Sequence, residues 1–242
     1  MSDKLYQKYL STHYSHFHQG SNFENDLPYI NANFLQFLPQ SKEAKILDIG
    51  CGTGIFLNFL KSSGYRNYVG VDISEEQINF CRDHVTKQVY LIKDIKTYLK
   101  SQKITFDFIL MNDVIEHLEK NTIIDTITLI YEALKNDGIV LIKTANLKNR
   151  WGMAVRYMDF THTVGFTQES LQQVMLVSGF NKVEIRKEIH PIHNIKSFFR
   201  ILLKSFFELL YLLENIASFG TFDVILSNMI IAVGTKTNYD GK

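Results

Sequence analysis

From about residue 41 onward, short apolar runs take turns with stretches whose apolar residues recur every three to four positions. Apolar runs bounded by glycine or an acid read as buried strands, and the wider spacing reads as amphipathic helix. Strands are therefore predicted at 46–49, 68–73, 89–95, 106–112, 139–144, 182–189 and 229–234. Between them fall helices from Ile55 to a stop at Gly64, from Ser74 through Cys81, and from an Asn121 cap to Leu134, closed by Gly138. A further helix runs from a Thr167 cap over 168–177 to Gly179, and a long one covers 195–219. Right-handed crossovers wind such an order into an α/β, doubly wound, mostly parallel sheet with helices on both faces.

The stretch that organises this pattern is Ile46-Leu47-Asp48-Ile49-Gly50-Cys51-Gly52-Thr53-Gly54. Alternate glycines let the chain turn sharply and let a ligand approach main-chain N–H groups. A dinucleotide fingerprint would need glycine at position 55, where this chain has Ile55. Asp48 would repel a pyrophosphate but suits a ligand carrying an ammonium group. The next strand ends in Asp72, and in nucleoside-binding α/β folds an acid there accepts hydrogen bonds from ribose hydroxyls. The competing role of helix cap belongs to Ser74, which opens a capping box with Gln77. Asp94 ends the third strand, and Asn112 and Asp113 end the fourth, all on the side where open parallel sheets place their ligand crevice.

Taken whole, Asp48-x-Gly50-x-Gly52-x-Gly54 resembles the first motif of the Rossmann-like (class I) S-adenosylmethionine-dependent methyltransferases. Asp113-Val114-Ile115-Glu116-His117-Leu118 resembles the fourth motif of their quinone-type and natural-product O- and C-methylating members. The resemblance covers about residues 40–189 and the last strand. It implies a seven-stranded sheet with the last strand antiparallel, and S-adenosyl-L-methionine as cofactor. Gly50, Cys51, Gly52 and Gly54 would pack against the methionine portion, with Asp48 toward its amino end. Asp72 and Ile73 would meet the ribose, Asp94 the adenine amino group with Ile95 near the ring, and Asn112 and Asp113 the methyl end. The chain lacks the Asn-Pro-Pro-Tyr or Asp-Pro-Pro-Tyr signature of enzymes that methylate nucleobase or amide nitrogens.

An oxygen acceptor benefits from a base. His117 is the first candidate, since an imidazole pKa near ~6.5 suits proton removal at neutral pH. A structural histidine bonding a strand end is the alternative, and His162 is the second candidate. Asp113, Glu116 and His117 would share one face if a helix began there. Some quinone O-methyltransferases with a related pattern use a divalent ion; Asp113 is read toward the cofactor, and no metal is assigned. The connection 147–166 is longer than the fold needs and carries Arg150, Tyr157, Thr161 and His162. Its Asp159-Phe160-Thr161-His162 and Gly165-Phe166-Thr167 resemble a stretch of polysaccharide- and sugar-modifying members. With His13 and Tyr14 of an aromatic N-terminal lid, Arg150, Tyr157 and Thr161 form the expected acceptor-binding set.

A net charge of +1 leaves no electrostatic footprint for a long nucleic acid. Two cysteines, Cys51 and Cys81, fit neither a disulfide framework nor a metal spacing. The polar start Met-Ser-Asp-Lys lacks an apolar signal region, so a cytoplasmic protein is expected, with contact at the inner face of a membrane left open. In the helix at 195–219, Lys196, Arg200, Lys204 and Glu208 form one narrow polar stripe among Phe, Leu, Ile and Tyr. Packing on its own domain, a homodimer interface and a membrane-surface contact all remain open for it. One domain is expected, with a helical lid at 1–40, a Rossmann-like core at 41–189, an amphipathic insertion at 190–223 and a last strand at 224–236. The expected activity is O-methylation of a small polar acceptor, a sugar or phosphoryl-type group, in bacterial surface-polysaccharide or capsule synthesis. The alternatives are O-methylation of a quinone-like lipidic phenol and a non-catalytic cofactor-binding partner protein.

Overall fold

The computed structural model of the protein describes residues 5–6, 11–12 and 23–237. Its strands are β1 (Lys45–Ile49), β2 (Asn67–Asp72), β3 (Val89–Leu91), β4 (Phe106–Asn112), β5 (Leu134–Ala145), β6 (Lys182–Lys187) and β7 (Met229–Thr235). Its α-helices are α1 (Phe23–Asn33), α2 (Ile55–Ser62), α3 (Glu75–His84), α4 (Ile95–Ser101), α5 (Ile123–Ala133), α6 (Gly152–Met158), α7 (Gln168–Val177) and α8 (Ile195–Phe219). Among the described residues the seven strands form one sheet in the order β3-β2-β1-β4-β5-β7-β6. Strands β1 to β5 pair in parallel, and β7 runs antiparallel to both β5 and β6. Strand order reverses between β1 and β4, and a crevice opens at such a switch point.

The period-two alternation of the central strands divides the core between the two sheet faces. Leu47, Ile49, Ile109 and Met111 pack with α4, α5 and α7 on one face. Ile46, Phe108 and Leu110 pack with α1, α2 and α3 on the other. Apolar residues on both faces make these strands the near-continuous hydrophobic runs that a covered parallel sheet requires.

Several local expectations change. Strand β3 ends at Leu91, so residues 92–94 leave the sheet before α4 opens at Ile95. Helix α5 starts after Thr122 rather than Asn121, because a short 3-10 turn at Lys120–Thr122 precedes it. It ends at Ala133, and Gly138 lies within β5 instead of closing a helix. The turn there falls to Asp137 at φ +61°, whose N–H bonds the Lys236 carbonyl. Pro28 sits inside α1. Helix α7 has its full Thr167–Ser170 capping box.

Helix α8 spans the expected residues, held by an Asn194–Ser197 capping box and ended by left-handed Gly220. One face of it lies against the protein, with Ile201, Tyr211, Leu212 and Ile216 half-buried. Of its residues only Ser197 and Asn215 are buried, and Phe199, Leu203, Phe206 and Leu210 are exposed. Both core clusters close without it. Among the described residues no helix is long and apolar enough to cross a membrane.

Candidate functional site

A cavity of about 950 Å³ opens over the C-terminal ends of β1, β2 and β4, with Tyr29 and Ile30 of α1 along one side. The glycine loop forms its floor. Gly50 and Cys51 both donate their N–H to the Val71 carbonyl, which ties the loop to β2. Gly50 stands at φ +73°, and a Cβ there would overlap the Val114 side chain. Gly52 at φ +54° donates its N–H to Asp72 Oδ2 at 2.9 Å. The other Asp72 oxygen accepts from the Ser74 N–H at 2.8 Å. Asp72 thus bridges the glycine loop to the start of α3. Ser74 holds the cap position, but its side chain makes no capping hydrogen bond, so the expected capping box with Gln77 does not form.

Asp48 is 2% exposed and lines the same cavity. Burial, reinforced by the charge of Asp72, pushes its pKa up to about 8. Asp72 is raised too, chiefly by burial, with the Ser74 and Gly52 N–H groups pulling the other way. Burial also pushes the Cys51 thiol well above its ordinary range, so Cys51 is a packing residue in this loop rather than a thiolate nucleophile.

The cavity suits the expected cofactor. A buried carboxylate faces a place for an ammonium group, a glycine floor admits close approach, and Ile73 offers a half-exposed apolar face beside Asp72. On the same wall Asn112 Oδ1 and Asp113 Oδ1 are buried without a hydrogen-bond partner among the described residues. Asp94 lines the rim but is engaged locally: its carboxylate caps α4 through the Thr97 N–H at 2.8 Å, and that bond lowers its pKa. Ile95 lies beside it on the wall. Gly54 does not line the cavity; it opens α2 against Cys81.

Titration of Asp48 has a measurable consequence. Below about pH 8 its carboxyl is protonated, and a ligand bearing an ammonium group draws out the carboxylate. S-adenosylhomocysteine binding at pH 7 is therefore expected to release a proton, and affinity to rise as pH approaches 8. Calorimetry in two buffers of different ionisation enthalpy checks this, and identical apparent enthalpies would refute it.

Two segments far apart in sequence also meet at the cavity. A 3-10 turn, Ile115–His117, follows β4, so Asp113, Glu116 and His117 do not share an α-helical face. Asp113 stands at φ +55° and pairs its Oδ2 with Lys143 Nζ at 2.8 Å. Burial works against the Lys143 ammonium, but Asp113, aided by Tyr29 and Glu188, overcomes it and holds the pKa above the ordinary lysine range. Burial and Asp113 push the Glu116 carboxyl upward.

His117 Nδ1 lies 2.8 Å from Thr161 Oγ1, and that hydroxyl lies 2.7 Å from Asp159 Oδ1. The single hydroxyl proton goes to the carboxylate, so Thr161 accepts from His117 Nδ1–H. The lone pair of His117 is then on Nε2. Tyr6 also bonds Thr161. The His162 ring packs edge-on to His117 at 4.7 Å between centroids. Burial, with His162 adding to it, lowers the His117 pKa to about 4. Near pH 7 the ring is neutral: a good hydrogen-bond acceptor and a weaker base than an exposed imidazole.

His117 and His162 line the cavity, while Thr161 stands behind them. Arg150 and Tyr157 are not on its wall. Both are exposed, and Tyr157 lies against the Arg156 guanidinium on the outer side of α6. His13 and Tyr14 lie outside the described residues. The wall also includes Lys143, Asp159, Tyr29 and Gln77, which motif reading did not assign. A lysine within the apolar run of β5 was the available signal for Lys143, since a charge in a covered strand needs a partner.

A family model for a methyltransferase domain matches residues 23–185. An uncharacterized protein of Rickettsia prowazekii is 28% identical over 169 residues, 64% of this chain and 66% of that protein. A ubiquinone biosynthesis O-methyltransferase of Bartonella quintana is 32% identical over 118 residues, 46% of this chain and 45% of that enzyme. The matches thus span roughly half to two thirds of these curated relatives. Among solved structures, a SAM-dependent methyltransferase of Archaeoglobus fulgidus superposes with a TM-score of 0.68 at 22% identity, over 92% of this chain and 98% of that one.

Proposed function

The chain belongs to the methyltransferase-domain family, and from that premise we propose that it transfers a methyl group from S-adenosylmethionine to an oxygen of a hydroxylated acceptor that carries an apolar tail. The observation that carries the oxygen-directed reading is His117: a neutral imidazole on the cavity wall, its Nδ1–H fixed by Thr161 and Asp159. When bound, the cofactor supplies a methyl group already activated on a sulfonium. The chain then has to orient the acceptor in line and exclude water. Asp48 and the glycine loop would hold the amino-acid end, Asp72 with Ile73 the ribose, and Asn112 the methyl end. His117 Nε2 would accept the acceptor's O–H and take its proton as the C–O bond forms. Asp159, reached through Thr161, would stabilise the resulting imidazolium.

Support for an apolar tail comes from the surface. Val155 and Met158 of α6 line the cavity, and Trp151, Met153 and Phe160 around them are exposed. Helix α8 adds its uncovered apolar face and the cations Lys196, Arg200 and Lys204, a composition suited to an anionic bilayer surface. The Bartonella relative is named for ubiquinone biosynthesis, which agrees with a phenol on a lipid tail. A sugar or phosphoryl acceptor of surface-polysaccharide synthesis has the Asp159–Thr167 resemblance behind it, and a lipid-linked form of it would use the same surface.

The test is methyl transfer to a prenylated catechol presented in phosphatidylglycerol vesicles, with a nucleotide sugar in parallel. His117→Gln is expected to lower kcat by roughly 100-fold, the low end for general-base loss because the buried ring is a weak base. Glutamine at positions 196, 200 and 204 together is expected to weaken vesicle binding by roughly 100-fold, at about 1 kcal/mol per charge. Transfer to the nucleotide sugar alone, without vesicle binding, would overturn the lipidic acceptor. A doubled mass with no vesicle binding would assign α8 to a homodimer.

A further inference from the structure

We propose that His117, Asp159 and His162 bind a divalent transition-metal cation on the wall of the cavity. One ring nitrogen from each histidine and one Asp159 oxygen lie within 4.8 Å of one another. Ligands placed about 2 Å from one ion stand roughly 3–4 Å apart, so small side-chain rotations would close the set. The three residues come from two separate segments, the turn after β4 and the loop after α6.

The surroundings match those of metal-bound imidazoles, whose second ring nitrogen donates to an oxygen that fixes tautomer and orientation. His117 Nδ1–H donates to Thr161 Oγ1, which passes its own proton to Asp159. His162 Nδ1 lies 3.3 Å from the Arg156 carbonyl, an acceptor only, and Arg156 Nη1 donates back to the His162 carbonyl. Nδ1 of each ring is thus engaged by a fixed oxygen, which sets the ring's tautomer and orientation. Asp159 is buried, and its Oδ1 accepts from the Thr161 N–H as well as the hydroxyl, so the carboxylate is rigidly set.

The donor set differs from the Asp113, Glu116 and His117 trio considered from sequence. Asp113 is committed to Lys143, and among the described residues the trio containing Asp159 is the cluster with ligand spacing. Two imidazoles and one carboxylate favour a borderline cation such as Zn²⁺ or Co²⁺ over Mg²⁺ or Ca²⁺, which take oxygen ligands. Three protein ligands lining a cavity leave open positions toward its interior, the arrangement of catalytic rather than structural sites. A hydroxyl entering one of those positions would lose its proton more readily, and with the cation bound His117 Nε2 is a ligand, so its role as base belongs to the cation-free enzyme.

The test reads cation binding directly, so it stands or falls separately from the acceptor. The full chain, without a histidine tag and stripped by chelator, is titrated with Zn²⁺ by calorimetry and with Co²⁺ by visible absorption. One equivalent is expected to bind, with Mg²⁺ silent. His117→Gln and His162→Gln should each weaken binding by more than roughly 100-fold. Thr161→Val keeps all three ligands but removes the partner of Nδ1, and should weaken it by roughly 10- to 100-fold. Thermal melts of each variant separate ligand loss from unfolding, and the wild-type titration depends on no variant. No binding to the wild type overturns the site. So does binding that survives both histidine variants, which would place the cation elsewhere on the chain.

Discussion

Asp72→Ala is expected to weaken S-adenosylhomocysteine binding by roughly 1,000-fold, about 4 kcal/mol. Asp72 is the brace of the cavity floor, with one oxygen on the Gly52 N–H and the other on the Ser74 N–H. A hydrogen bond to a charged group contributes about 1.5–3 kcal/mol, and this residue makes two before any ligand arrives. Removing it leaves two buried N–H groups without partners and lets the glycine loop relax from the left-handed geometry at Gly52. The same change removes the acceptor expected for ribose hydroxyls, so loop order and ligand contact are lost together. Asp72→Asn should fall between, because an amide oxygen keeps one of the two N–H bonds. Titration calorimetry checks this, with NADH as the control that should bind to neither protein. Unchanged affinity in folded Asp72→Ala would refute the cofactor assignment at this floor.

Asp113→Ala is expected to cost about 2 kcal/mol of folding stability, because it strands the Lys143 ammonium in the sheet, a penalty reduced by the solvent that reaches the 40% exposed Asp113 side chain. The Lys143 side chain is 10% exposed, and Asp113 is the partner that holds it charged. Removing one member of a buried pair is far more damaging than replacing both. The double variant Asp113→Ala, Lys143→Met should therefore recover most of the loss. For a chain of this size about 2 kcal/mol corresponds to a drop of roughly 4–8 °C in Tm. Scanning calorimetry of the two single variants and the double completes the cycle; a double-variant loss equal to the sum of the two single losses would show that the pair is not coupled. Glu188 and Tyr29 near Lys143 soften the penalty, and Tyr29 is itself committed to Glu188 at 2.7 Å.

The motifs that proved legible are local ones. The strand entering the glycine loop, Asp72 at the end of β2 and the Thr167 cap of α7 each depend on residues within a few positions of one another. Their signals are steric or arise from hydrogen bonds inside one turn, so the linear order carries them. Where local reading failed, a distant partner decided. Gly138 looked like a helix stop, yet β5 begins before it, because the turn is paired across the sheet with Lys236. Ser74 looked like a capping side chain, yet Asp72 takes the Ser74 N–H itself and turns the other oxygen to the glycine loop.

The chain's own residue order thus determined the doubly wound sheet, the position of its crevice and the acids that line it, since periodicity and glycine placement set backbone paths that right-handed crossovers assemble in few ways. Tertiary structure alone decided what stands opposite that wall. His117 meets Thr161 across 44 positions, Lys143 meets Asp113 across 30, and Tyr29 meets Glu188 across 159. It also decided that Arg150 and Tyr157 face away, and that α8 keeps its apolar surface uncovered. The reason is physical: a side chain's charge state and partners depend on burial and on groups brought close by packing, and neither quantity exists until the chain has folded.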